Sequence, residues 1–134
     1  MPNRRNYDIT MEDENMIDAV SEGRIDDVRA LLAAGANVHA RDDDALWYAS
    51  LNGDAEMVAL LLAAGADVHA ADDSALKAAA SKGLIEVVRL LIESGADPHA
   101  GDDYALRYAL VNRHFEIANM LLAIPRICKE KQNP

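Results

Sequence analysis

A six-residue segment recurs along the chain at a constant interval of 30 residues, and this period constrains the fold more than any other feature. The copies are residues 35–40 (GANVHA), 65–70 (GADVHA) and 95–100 (GADPHA). Apolar columns keep the same interval and extend the register to a fourth unit, as in Leu31, Leu61, Leu91 and Leu121. Self-similarity at this period predicts a repeat array, in which each unit buries its apolar face against its neighbours.

Apolar residues inside each unit are three and four positions apart, as in Val58, Leu61 and Leu62, which is helical spacing. Glycines separate two such segments in each of the first three units and follow the second, where a left-handed residue commonly ends a helix. The pattern predicts helices near residues 11–22, 26–34, 43–52, 55–64, 73–82, 85–94, 103–112 and 115–124.

Acidic residues stand where the first helix of each unit begins. Asp42 and Asp43, like the pairs at 72–73 and 102–103, precede a predicted helix, so we expect their carboxylates to accept hydrogen bonds from its first-turn amides. Thr10 and Asp13 have the spacing of a capping box in the first unit.

The repeats predict one domain at residues 10–125, with units at about 10–40, 41–70, 71–100 and 101–125. A polar N-terminal arm (residues 1–9) precedes it and a basic C-terminal tail (residues 126–134) follows. We expect Pro125 to end the array because proline cannot continue the helical pattern.

Composition excludes several classes of function. Asp and Glu number 23 against 13 Lys and Arg, so the net charge of -10 disfavours direct binding to nucleic acid. The longest uncharged apolar run, residues 57–66, is about half of a membrane span. Cys128 is the only cysteine and cannot form an intramolecular disulfide. We therefore expect a cytoplasmic protein that does not bind membranes.

The second predicted helix of the third unit and its exit, residues 86–97 (EVVRLLIESGAD), resemble the ankyrin repeat. The resemblance covers residues 11–124, but each unit is about three residues shorter than the usual ankyrin unit. The first helix opens with Asp-Asp-x-Ala-Leu in place of Thr-Pro-Leu-His. The resemblance implies an all-α ankyrin-type helix-turn-helix solenoid of four helix pairs, with short turns in place of full β-hairpin fingers.

The same resemblance implies a non-enzymatic protein-protein interaction module without cofactors, acting as an adaptor, inhibitor or host-directed factor through its concave face. Short units also resemble those in arrays from large DNA viruses and some bacteria, whose effectors would act in host cytoplasm. We select as partner-binding candidates residues at or beside the family's contact positions, where aromatic and Arg side chains favour binding hot spots. They are Arg41, Trp47, Tyr48, Leu51, Lys77, Ser81, Tyr104, Arg107, Tyr108 and Val111.

The alternative for the aromatic residues is that their rings cover the core between helices. Trp47 and Tyr48 are adjacent on a helix and point about 100° apart, so we expect them to differ in burial.

His39, His69 and His99 recur at the 30-residue interval, which suggests either a metal ladder or hydrogen bonds that stabilise the turns. The second interpretation is favoured because helices lie about 8–10 Å apart, whereas zinc ligands must lie within about 2.1 Å of the metal. We expect no metal site.

The recurring aspartate pairs are better explained by helix capping than by catalysis, since a catalytic pair occurs once, in a pocket. They also suggest a negative rail that selects a partner with a basic surface. The alternative function is an acidic decoy that mimics nucleic acid and occupies a basic protein. Four helix pairs suffice for an independent fold, so we expect a monomer, with Cys128 incidental and the tail either disordered or a docking peptide.

Overall fold

The computed structural model describes residues 10–125 as eight α-helices that follow one another in four pairs. No strand occurs within this range, which confirms the predicted all-α array with short turns. The predicted arm at 1–9 and the tail at 126–134, with Cys128, lie outside the described residues. The helices are α1 Met11–Ser21, α2 Ile25–Ala33, α3 Ala40–Asn52, α4 Ala55–Ala63, α5 Ala70–Lys82, α6 Ile85–Glu93, α7 Ala100–Val111 and α8 Phe115–Leu122.

The helices form two layers. The first helices of successive units, α1, α3, α5 and α7, pack side by side, and each second helix packs on the first helix of its own unit. The residues that hold the layers together are the in-register apolar columns, such as Met16, Leu46 and Leu76, each at most 1% exposed. One continuous core therefore runs through all four units. None of the helices within residues 10–125 has the length and apolar character needed to cross a membrane.

A left-handed turn opens the first helix of each later unit. Residues 41–43 have φ angles of 55°, 59° and 60°, and residues 71–73 and 101–103 repeat this conformation. Regular right-handed geometry therefore starts only after this turn, later than the predicted starts at 43, 73 and 103. Aspartate occupies two of the three positions, and it is among the few residues that adopt this conformation readily.

In the second and third units, the second aspartate of the pair closes its own unit. Asp43 is 5% exposed, and its carboxylate accepts a hydrogen bond at 2.7 Å from the backbone N–H of Asp67, 24 residues further on. Asp73 accepts the equivalent bond from Asp97 at 2.7 Å. The predicted partners, amides of the following first turn, are thus replaced by the amide in the turn after the second helix.

The predicted capping box of α1 is confirmed. The Thr10 hydroxyl accepts from the N–H of Asp13 at 3.3 Å, and the Asp13 carboxylate accepts from the N–H of Thr10 at 3.0 Å. Asp13 also accepts from the N–H of Asn37 at 2.6 Å, so it caps the helix and closes the first unit.

Candidate protein-binding surface

All of the predicted contact residues lie on α3, α5 or α7, and none of them is buried. Because α3 packs on α5 and α5 packs on α7, these side chains belong to adjacent helices. We call this set the first-helix surface. It consists of Arg41, Trp47, Tyr48, Leu51, Lys77, Ser81, Tyr104, Arg107, Tyr108 and Val111.

Two aromatic rings meet on α3. The ring centroids of Trp47 and Tyr48 are 5.1 Å apart, with an interplanar angle of 73°, an edge-to-face contact. Both side chains are half-buried, so the expected difference in their burial stays a prediction. Tyr48 packs against the core, and its contact with Trp47 covers part of each ring.

A second aromatic group joins α5 to α7. Tyr104 and Tyr108 are stacked with ring centroids 4.3 Å apart, and Lys77 Nζ lies 5.2 Å from the centroid of Tyr104. The same Nζ is 2.8 Å from a carboxylate oxygen of Asp72, and the Lys77 side chain is only 18% exposed. The group is therefore ordered by its own contacts, with the 39% exposed Tyr108 as its most accessible ring.

The two arginines of the surface donate hydrogen bonds to residues nearby, one to helix α1 and one to the turn of its own helix. Arg41 makes a bidentate contact with Glu14 of α1, at 2.8 Å from Nε and 3.1 Å from a terminal nitrogen. Hydrogen bonding to Glu14 raises the pKa of Arg41 above its ordinary value. Arg107 Nε donates to the carbonyl of Asp102 at 3.1 Å, which braces the left-handed turn of α7. Both side chains remain exposed and can reach a partner.

The smaller members of the surface form a column with uneven exposure. Leu51 and Ser81 are half-buried, whereas Val111 is 72% exposed. The Ser81 hydroxyl donates to the carbonyl of Ala78 at 3.1 Å, within its own helix. The increase at Val111 accompanies the end of the described array, since no unit within residues 10–125 lies beyond α7 and α8.

The recurring histidines make the hydrogen bonds that were expected of them. Nδ1 of His39 is 3.0 Å from a carboxylate oxygen of Asp43, and His69 and Asp73 repeat the contact at 3.1 Å. The hydrogen bond to Asp73 raises the pKa of His69, whereas burial raises the pKa of Asp43. Within residues 10–125 no cluster of three His, Cys, Asp or Glu side chains suits a metal ion.

Exposed carboxylates recur beside this surface. Asp42, Asp72 and Asp102 each occupy the middle of a left-handed turn, one per unit, and all three are exposed. We call them the acidic row. Lys77 is paired with Asp72, so the negative charge of the row is partly offset near α5.

Sequence reasoning missed another group of accessible side chains, at the end of α7 and on α8. Leu110, Phe115 and Leu122 are 45%, 53% and 63% exposed. The columns of Phe115 and Leu122 hold apolar residues in all four units, which predicts burial, whereas the column of Leu110 includes Ser50. Their position in the last unit of the register was the sequence signal that could have predicted this exposure.

A family model described as "Ankyrin repeats (3 copies)" matches residues 16–102 and, in a second placement, residues 46–133. Together the two placements span most of the chain. No curated protein matches it.

Proposed function

Because the chain belongs to the ankyrin repeat family, whose repeats are general protein-protein interaction modules, we propose that it binds a partner protein through the first-helix surface. The observation that carries this proposal is the pair of ordered aromatic groups on adjacent first helices. The family is non-catalytic, which supports a binding role in place of an enzymatic one. In ankyrin arrays the concave face is built from the first helices, and the first-helix surface lies on the same helices of this chain.

The aromatic groups consist of the side-chain types that are typical of binding hot spots. Interface energy concentrates in a few large side chains, with Trp, Tyr and Arg enriched among them. Tyr104 already stacks on Tyr108, so little rotamer freedom remains to be lost when a partner covers these rings. Tyr108 and Trp47 then act as anchors on α7 and α3.

The charge of the protein supports a partner with a basic surface. The net charge is -10, and the acidic row places a carboxylate beside the first-helix surface in each of the last three units. Complementary charge accelerates association and selects among partners. In this proposal the protein is a cytoplasmic adaptor, inhibitor or host-directed factor that binds a partner with a basic surface and does not itself bind nucleic acid.

Affinity capture from a lysate tests the surface. The bait is the wild-type protein or a variant that combines Trp47→Ala, Arg107→Ala and Tyr108→Ala. Tyr48 stays in place because it packs against the core. We expect the wild type to retain a protein that the variant loses, since truncation of one hot-spot side chain costs at least about 2 kcal/mol of binding free energy.

A matched control carries Arg89→Ala, Glu93→Ala and Asn119→Ala, all exposed residues of the second-helix layer. This variant should retain the partner, and circular dichroism should show that both variants are folded. Retention of the same protein by the first-helix variant would refute the proposal.

The alternative function, an acidic decoy, differs in its response to salt. Calorimetry with the captured partner should show a modest loss of affinity as salt increases if the aromatic groups dominate. A steep loss would favour the decoy, because its contacts would all be charge pairs.

A further inference from the structure

His99 differs from the two histidines that share its register. In all three cases Nδ1 lies at hydrogen-bond distance from the aspartate four residues later, and the distance is 2.6 Å between His99 and Asp103. His99 makes a second contact, because its Nε2 lies 3.2 Å from the backbone carbonyl oxygen of Ile124. Its side chain is 18% exposed, whereas those of His39 and His69 are 53% and 57% exposed. His99 therefore joins the opening turn of α7 to the residues that follow α8.

The second contact accompanies a change in the way the chain leaves the second helix. The position of Ile124 holds Ala64 and Ser94 in the two preceding units, and each of these is followed by a glycine, with φ angles of 99° and 103°. Pro125 takes the place of that glycine in the last unit. Because proline cannot adopt such an angle, the chain continues in another direction after Ile124.

Both ring nitrogens of His99 face hydrogen-bond acceptors. A backbone carbonyl has no proton to donate, so Nε2 must donate to Ile124. The ionised carboxylate of Asp103 is also an acceptor, so Nδ1 must donate to it. A neutral imidazole carries one N–H and can satisfy one of these contacts, whereas the imidazolium ion satisfies both. The alternative, a neutral ring that accepts a hydrogen bond from a protonated Asp103, needs the same extra proton.

The ionisable groups around this turn favour the extra proton. Besides Asp103 on α7, they include Asp97, whose carboxylate accepts the backbone N–H of His99 at 2.9 Å. From α5, the carboxylate of Asp73 accepts the backbone N–H of Asp97 at 2.7 Å. The contact from the end of α8 is the uncharged carbonyl of Ile124. Carboxylates at the turn attract a cation, so they stabilise the protonated ring.

The preceding unit shows how a similar arrangement acts on a histidine. The hydrogen bond to Asp73 raises the pKa of His69, and the charges of Asp73, Asp67 and Asp97 act in the same direction. The folded chain therefore binds a proton at His69 more tightly than the unfolded chain does. Such a group contributes stability below the pKa of the unfolded chain, and the contribution is lost as the pH rises through the pKa of the folded chain.

We propose that His99, Asp103 and Ile124 form a proton-operated latch, in which protonation fixes the residues that follow α8 to the opening turn of α7. When the proton is lost, the ring can no longer donate to both acceptors, and the carbonyl of Ile124 bonds to water in place of the ring. The last turn of α8 then opens more readily. The last described unit therefore tightens as the pH falls through the range in which histidine titrates, about 5 to 8.

Hydrogen exchange followed by NMR at about pH 6 and about pH 8, on either side of the histidine range, tests the latch. The reporters are the backbone amides of Ala123 and Ile124, which donate to the carbonyls of Asn119 and Leu121. Protection factors are corrected for the intrinsic effect of pH on exchange. In the wild type they should be at least about five-fold higher at the lower pH, the factor that one hydrogen bond of ordinary strength contributes.

The test variant is His99→Asn. Its shorter side chain keeps an N–H donor beside Asp103, but it does not titrate and cannot reach Ile124, so the difference between the two pH values should disappear. The matched control is His69→Asn, which removes a histidine with the same aspartate contact from the preceding unit. This control should keep the difference, and circular dichroism checks that both variants are folded.

Three results would overturn the proposal. The first is equal protection of the two amides at both pH values in the wild type, a comparison that decides by itself if His99→Asn does not fold. The second is an unchanged difference in His99→Asn, because the proton would then act at another group. The third is loss of the difference in His69→Asn, which would show that pH acts on the array as a whole and not at the end of α8.

Discussion

At the scale of single residues, the left-handed turns are the positions where side-chain identity and backbone conformation disagree most. The first position of the turn holds Arg41, Ala71 and Gly101 in successive units, at φ angles of 55°, 54° and 63°. A residue with a Cβ is strained in this conformation by about 1–2 kcal/mol, whereas glycine is not. The third turn is therefore the least strained of the three.

Ala71→Gly should raise the free energy of unfolding by about 0.5–1 kcal/mol. The relief of strain exceeds the extra entropy that glycine gives the unfolded chain. Gly101→Ala should lower the free energy of unfolding by a similar amount. The added Cβ would lie 2.9 Å from Lys77 Nζ, the end of a flexible side chain that can move. Urea unfolding followed by circular dichroism measures the free energy of unfolding of both variants. Destabilisation by Ala71→Gly would contradict the proposed backbone strain at Ala71.

The aspartate pairs were recognised in the sequence, but their role in the structure was not predicted. An Asp-Asp pair before a helix fits capping and fits a left-handed turn equally well, so Asp43 alone does not distinguish them. Its main partner, the amide of Asp67, lies 24 residues away, beyond the reach of any local pattern. The histidine contacts were predictable because His39 and Asp43 are four residues apart.

At the scale of the helix pair, one buried carboxylate joins the beginning of a unit to its end. Asp73 is 4% exposed, accepts from the N–H of Asp97 at 2.7 Å and contacts His69 at 3.1 Å. Its neighbour Asp72 is exposed and pairs with Lys77. The two aspartates share the left-handed conformation but differ in burial, which makes them a natural comparison.

Asp73→Ala should lower the free energy of unfolding by about 2–3 kcal/mol, because it leaves the Asp97 amide without its buried acceptor. Asp72→Ala should lower the free energy of unfolding by less than about 1 kcal/mol, apart from the backbone strain that both variants share, because it removes only a surface ion pair. Urea unfolding of the two variants gives the comparison. Equal losses would show that the buried bond does not hold the unit closed.

The positions of the candidate residues on the first helices were predictable, but the contacts among these residues were only partly predictable. The register places Trp47, Lys77 and Arg107 in one column, and the structure has them on successive first helices. Tyr104 and Tyr108 are four residues apart on one helix, a spacing that permits their stacking. The contact of Lys77 with Tyr104 joins two units, and its distance depends on how the helices pack.

At the scale of the whole molecule, the fold is a line of units in which each contacts its nearest neighbours. The stability of such an array is approximately the sum of unit and interface contributions. Within the described range, the units of α3–α4 and α5–α6 have a neighbour on both sides, whereas the units of α1–α2 and α7–α8 have only one. We therefore expect the units with two neighbours to be better protected from local unfolding than the units with one.

Hydrogen exchange should therefore be slowest for the amides of α3 to α6 and faster for α1–α2 and α7–α8. Uniform exchange along all eight helices would indicate a single cooperative unit in place of a line of coupled ones.

The closing bond between Asp73 and Asp97 lies wholly inside one repeat, as does its counterpart between Asp43 and Asp67. A gene segment that encodes residues 71–100 thus specifies its own opening turn, its own two helices and its own closure. Duplication or loss of such a segment by unequal recombination changes the length of the array while the closing bond inside every remaining unit stays the same. The extent of the array can therefore evolve in whole steps of one self-closed unit.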